Sequence, residues 1–197
     1  MADYIPLDIT PYCNAENTIF GNDRDPPVGD QTFFGLPFKI GSGAAGANCY
    51  IGFGANEGLI SKPVTLPLNQ SVHTITFAHT LLETEIFKGA PVGQTIANYV
   101  FRYGNGQDVS VPIRERFEIS ALPLQWGQYP FLSVPDQKSS LIDRYYGPWE
   151  QAGRRETEAD QGWPRAYFLW SWRNPDPACA MPGSEIRPCG QTFIISA

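Results

Sequence analysis

Arg165-Ala166-Tyr167-Phe168-Leu169-Trp170-Ser171-Trp172-Arg173-Asn174-Pro175-Asp176-Pro177 decides the reading of this chain. Its first half is an aromatic-rich run of strand length, and its second half is a turn built on two prolines. Neither Pro175 nor Pro177 can donate to a ladder, and each pushes the residue before it toward extended geometry, so the strand must stop near Arg173. A further apolar run, 192–196, follows. Together the two runs read as the closing hairpin of an all-β domain.

Outward from this stretch, short β-rich runs recur at 4–9, 32–40, 49–53, 59–68, 73–80, 96–103, 108–113 and 117–119, with turn signals between them. No segment keeps a helical period over three turns. Gly104-Asn105-Gly106-Gln107 joins two of the runs, and Asn-Gly there is a strong hairpin signal because its left-handed turn matches strand twist. Val109, Ser110, Val111, Pro112 and Ile113 alternate between an apolar and a wetter face, which places Pro112 on an edge. The stretch 120–164 differs from the rest: it is long, rich in rings, and mixed with Asp, Arg, Gln and Gly. A loop of that length in a compact domain is usually functional, and its rings argue against disorder.

Composition agrees with many strands and turns. The 197 residues include 19 Gly and 18 Pro, with 13% aromatic and only 17% charged residues. That length is the usual size of one domain, so 1–197 is read as a single jelly-roll β-sandwich with a long aromatic loop region. The net charge of -6 argues against a nucleic-acid partner, which needs a basic footprint. No apolar run reaches membrane-spanning length, so no membrane partner is expected. The start as given has no basic and apolar leader, which favours the cytoplasm. Cys13, Cys49, Cys179 and Cys189 lack metal-site spacing. Cys179 and Cys189 flank a Pro/Gly-rich turn that a disulfide could bridge, the alternative being free thiols.

The order Ile5-Pro6-Leu7-Asp8, Phe34-Gly35-Leu36-Pro37-Phe38, Ala47-Asn48-Cys49-Tyr50-Ile51-Gly52-Phe53-Gly54, Thr74-Ile75-Thr76-Phe77-Ala78-His79, Tyr99-Val100-Phe101-Arg102-Tyr103-Gly104-Asn105-Gly106 and Trp172-Arg173-Asn174-Pro175-Asp176-Pro177 resembles the galactose-binding-like jelly-roll modules of glycoside hydrolases and polysaccharide lyases. The resemblance covers nearly the whole chain and implies a carbohydrate-associated β-sandwich, often an accessory module. It carries no catalytic motif, and the stretch between Phe117 and Arg165 is an addition to the usual module.

The expected function is therefore carbohydrate binding. Trp126, Tyr129, Tyr145, Tyr146, Trp149 and Trp163 are the flat rings on which sugar C–H faces stack, and Arg114 and Arg116 offer planar forks for a sugar carboxylate. Plain core packing and a chain–chain interface would use the same rings. A second class, a glycoside hydrolase or polysaccharide lyase, would use Glu115, His79 or Tyr145, with Glu115 held ionised between its two arginines. A third is an assembly role as a homo-oligomer or beside a catalytic partner subunit. Cofactors are none, or a structural calcium ion on Asp23, Asp25 and Asp30, although the run lacks the Gly and terminal Glu of an EF-hand loop.

Overall fold

The computed structural model describes residues 4–21, 24–124, 129–137, 140–141, 159–160 and 165–197. Among these the helical turns are short 3₁₀ pieces at Thr10–Tyr12, Asn17–Phe20 and Ile86–Lys88, and the regular structure is otherwise strand. In chain order the strands are β1 (Gly29–Phe33), β2 (Leu36–Ile40), β3 (Ile51–Phe53), β4 (Val64–Gln70), β5 (Thr74–Leu81), β6 (Thr95–Arg102) and β7 (Asp108–Arg114). They continue as β8 (Ser133–Pro135), β9 (Ser140–Leu141), β10 (Ala159–Asp160), β11 (Phe168–Arg173), β12 (Met181–Pro188) and β13 (Phe193–Ile195).

One sheet has the order β3-β13-β5-β11-β8 and the other β4-β12-β6-β7, with β1-β2 and β9-β10 as separate pairs. Every strand pairing is antiparallel. The chain changes sheet between β3 and β4, β4 and β5, β5 and β6, β7 and β8, β11 and β12, and β12 and β13. This is an all-β sandwich of the kind a jelly roll forms. The Asn-Gly hairpin joins β6 to β7 as expected, with Gly106 at φ 83°. Pro112 lies on the edge strand β7.

Rings fill the space between the sheets. Trp170 and Trp172 of β11 and Phe77 of β5 meet Tyr99 and Phe101 of β6, with Phe101 and Trp172 stacked at 3.6 Å between centroids. A second apolar layer covers the outer face of the five-stranded sheet. There the β1-β2 pair packs Phe33, Phe38 and Ile40 onto Ala78, Tyr167, Leu169 and Ile194. The period-2 alternation of β5 explains both layers: Ile75, Phe77, His79 and Leu81 face one way, and Ala78 and Thr80 face the other.

Three local readings are corrected. Residues 32–40 are a hairpin and not one strand, because Phe34 (φ 54°) and Gly35 (φ 85°) make a two-residue left-handed turn between Phe33 and Leu36. The runs 165–173 and 192–196 do not pair with each other. β11 lies between β5 and β8, β13 between β3 and β5, and the intervening 181–188 is a strand of the opposite sheet. Pro182 and Gly183 disguise that strand, since they sit where the register shifts. A Cβ on Gly183 would meet the Leu66 carbonyl oxygen at 2.7 Å, so only glycine lets β12 lie this close to β4. For the same reason Cys179 and Cys189 are free. They stand at opposite ends of β12, whose eight residues extend over roughly 26 Å at the strand rise, far beyond disulfide reach.

The turn after β11 is held by Asn174, which is 4% exposed. Its Oδ1 accepts from the Tyr103 hydroxyl and from the Asp176 amide at 2.9 Å. Its Nδ2 donates to the Val72 carbonyl at 2.7 Å, and its backbone amide donates to the His73 carbonyl at 2.9 Å. One side chain thus ties the β4–β5, β6–β7 and β11–β12 connections together. Asn174→Ala removes the Oδ1 and Nδ2 bonds and leaves the Tyr103 hydroxyl buried without its acceptor. Urea unfolding of this variant is expected to show a loss of about 2–4 kcal/mol.

Candidate functional site

The sequence-selected residues Arg114, Glu115, Arg116 and His79 come together at the end of β7, beside the C-terminal half of β5. Past Arg114 the chain closes a tight turn in which Arg116 takes φ 68° and its amide donates to the Ile119 carbonyl at 2.8 Å. Glu118, 4% exposed, fixes that turn: its Oε2 accepts from the Arg114 amide (2.9 Å) and Nε (3.1 Å), and its Oε1 accepts from Nη2 (2.7 Å). The guanidinium of Arg114 is thereby held 4.3 Å from the centre of the Phe117 ring.

Phe117 packs on Phe131 at 5.2 Å, and the Arg116 guanidinium lies 5.7 Å from the Phe131 ring centre. The Phe131 amide donates to the Arg116 carbonyl (3.0 Å) and the Leu132 amide to the Phe117 carbonyl (2.9 Å). Two rings and two guanidinium groups therefore form one platform, stitched to the 129–137 part of the aromatic stretch. Phe131 is 65% exposed. The platform rings went unselected in the sequence. Phe117 falls between charged residues, and Phe131 is one ring among many in 120–164.

Glu115 points away from the platform. It is 3% exposed, its Oε1 accepts from the Thr84 hydroxyl, and it lines a water-sized niche with Ile86, Ser120 and Pro123. Burial raises its pKa, while the Thr84 bond and the charge of Arg116 act in the opposite direction. The expectation of a carboxylate held ionised by two flanking arginines does not describe this environment, because Arg114 is engaged by Glu118.

His79 has no solvent exposure and packs against Trp170 and Tyr99. Its Nε2 lies 2.8 Å from the Glu118 carbonyl and its Nδ1 2.9 Å from the Tyr99 hydroxyl. A carbonyl only accepts, so Nε2 carries the proton and Nδ1 accepts from Tyr99. Both nitrogens are satisfied by a neutral ring, and burial depresses the pKa to about 4. His79 thus positions the Arg114–Glu118 turn from within the core.

Tyr129 is half-buried, next to Pro130 and the platform strand segment. Trp126, Tyr145, Tyr146, Trp149 and Trp163 lie outside the described residues, as does Asp23. Asp25 and Asp30 are exposed, and among the described residues no three His, Cys, Asp or Glu side chains gather around one point. No protein-family model, curated protein or solved structure matches the chain.

The neutral state of His79 sets a pH dependence. Its folded pKa lies below the ordinary value, so the unfolded chain binds the proton more readily and stability falls as pH drops from about 6.5 toward 4. Against His79→Gln, which cannot titrate, the wild type is expected to lose up to about 3 kcal/mol across that window in urea titrations. Above pH 7 the difference between the two proteins should be flat.

Proposed function

We propose that this protein is a carbohydrate-binding β-sandwich module that seats a glycan against the Phe117–Phe131 platform. The observation that carries the reading is an exposed ring, Phe131, backed by a second ring and flanked by two guanidinium groups at the root of the aromatic-rich stretch. Stacking of a sugar face on Phe131 supplies apolar contact, and guanidinium groups supply directional donors to hydroxyls or a carboxylate. Charge supports an acidic sugar: Arg114 and Arg116 bring two guanidinium groups to the rings, and the Glu118 carboxylate that aligns Arg114 is itself salt-bridged to it. The resemblance to galactose-binding-like modules points to the same ligand class.

A glycan array carrying neutral and uronic-acid oligosaccharides tests this directly, with reducing-end and unsaturated-product detection in the same wells. Binding without turnover, stronger for uronic than for neutral chains and weakened by salt, is the expected result. Phe131→Ala should weaken it by about 1–3 kcal/mol with the melting temperature unchanged, as an exposed anchor ring requires. Binding that is indifferent to Phe131→Ala would place the ligand elsewhere, and products released in the wells would replace a binding module with an enzyme.

A further inference from the structure

Arg116 belongs to two surroundings at once. On one side of its turn the guanidinium lies 5.7 Å from the centre of the exposed Phe131 ring. On the other side Arg116 lines the water-sized niche of Glu115, together with Thr84, Phe87 and Ser120. Its backbone takes φ 68°, a conformation uncommon for a long side chain, and the amide bond to the Ile119 carbonyl at 2.8 Å holds it there. The turn therefore keeps Arg116 between the platform and the niche.

Glu115 is fastened by main chain on both sides. Its amide donates to the Gln94 carbonyl (2.9 Å), and its carbonyl accepts from the Gly93 amide (3.2 Å). Its carboxyl, on a residue only 3% exposed, accepts from the Thr84 hydroxyl, whose oxygen in turn accepts from the Ile86 amide (3.2 Å). Held in this way the carboxyl cannot swing out to water, and a change in its charge is felt by the neighbours it already has. The niche itself holds no more than a water molecule, so Glu115 meets a ligand only through Arg116.

Few charges face this carboxyl. Arg116, from its own turn, favours the ionised form, and Glu85, from the connection between β5 and β6, opposes it. Glu85 is matched by Lys88 at 3.0 Å, and Arg114 by Glu118 at 2.7 Å. Ile86, Phe87, Ser120 and Ala121 complete the walls without charge. Burial is the largest influence and raises the Glu115 pKa above its ordinary value. An exposed ligand carboxylate has no such burial, so it keeps its charge while Glu115 titrates.

We propose that Glu115 regulates the platform through its proton: ionised, it takes up the Arg116 charge from behind the turn, and protonated, it leaves that charge to a ligand carboxylate seated on Phe131. This regulation belongs to the glycan site proposed above and rests on that reading. The ionised carboxyl and an acidic ligand compete for one guanidinium, so affinity for acidic glycans is highest with Glu115 protonated and falls as pH rises through its titration. By reciprocity an acidic ligand makes Glu115 hold its proton more tightly. A neutral glycan makes no demand on the charge and follows no such course.

The probes are a uronic-acid oligosaccharide and a neutral one of equal length, titrated onto the full chain between about pH 5 and 8, above the pH of about 4 at which His79 takes up its proton. Affinity for the uronic chain should fall by about fivefold or more across that interval, and Glu115→Gln should bind it at every pH as tightly as the protonated wild type does. Thr84→Val removes the donor that favours the ionised carboxyl, so in that variant the fall should move to higher pH. In the ligand-free chain, the carbon-13 resonance of the Glu115 carboxyl and the guanidinium nitrogen resonance of Arg116 should titrate with one midpoint. Wild-type pH dependence retained in Glu115→Gln, or an Arg116 resonance indifferent to the Glu115 titration, would overturn the proposal. If Glu115→Gln fails to fold, Thr84→Val and the wild-type resonances decide. A chain that binds neither oligosaccharide at any pH overturns the glycan reading instead, and a shared midpoint then upholds the coupling of Glu115 to Arg116 while separate midpoints overturn it.

Discussion

The Asn174 carboxamide is the interaction on which the arrangement of the sheets depends. It bonds at once to Tyr103 after β6, to Val72 before β5 and to Asp176 in its own turn, so three connections that change direction at one end of the sandwich are locked to a single group. An amide suits this role because it presents donors and an acceptor in one plane, and burial makes every one of those bonds obligatory. With that corner set, Trp172 is held against Phe101 and Trp170 against Tyr99, and the two sheets close over their rings.

Elsewhere, too, buried polar groups specify geometry inside an aromatic core. His79 reaches through the sandwich to the Glu118 carbonyl, and the Glu118 carboxylate then aligns Arg114 over Phe117. Asp136, only 5% exposed, accepts from the successive amides of Arg165, Ala166 and Tyr167 and so fixes where β11 begins beside β8. Burial raises the Asp136 pKa while those three amides lower it, the expected opposition between desolvation and hydrogen bonding. In each case a main-chain partner gives the polar group its place, and an apolar surround makes the place unique.

β5 runs between two distinct surface features of the sandwich. Its C-terminal half ends beneath the Arg–Phe platform, and its N-terminal half lines a cleft of about 400 Å³ together with Leu36, Phe38, Leu66 and Leu68. One surface is basic and aromatic, the other mainly apolar.

Much of the fold was legible in local signals. Pro175 and Pro177 ended β11, Asn105-Gly106 turned β6 into β7, Pro112 marked an edge, and ring-rich alternation announced an all-β sandwich. Those signals act within a few residues, through missing donors and backbone handedness, so they can be read without the rest of the chain. What tertiary structure alone decided was partnership. Pro182 and Gly183 concealed β12, because the need for glycine there comes from the Leu66 carbonyl more than a hundred residues away in sequence. Glu115 and Glu118 look alike beside Arg114 and Arg116, yet packing sends one to Thr84 and the other to Arg114. The sequence by itself determined the class of fold, whereas the run 117–119, read as strand, is part of the turn at which the platform forms. Which carboxylate would pair and which histidine would be sealed in the core depended on contacts between distant segments, and those exist only once the sheets have closed.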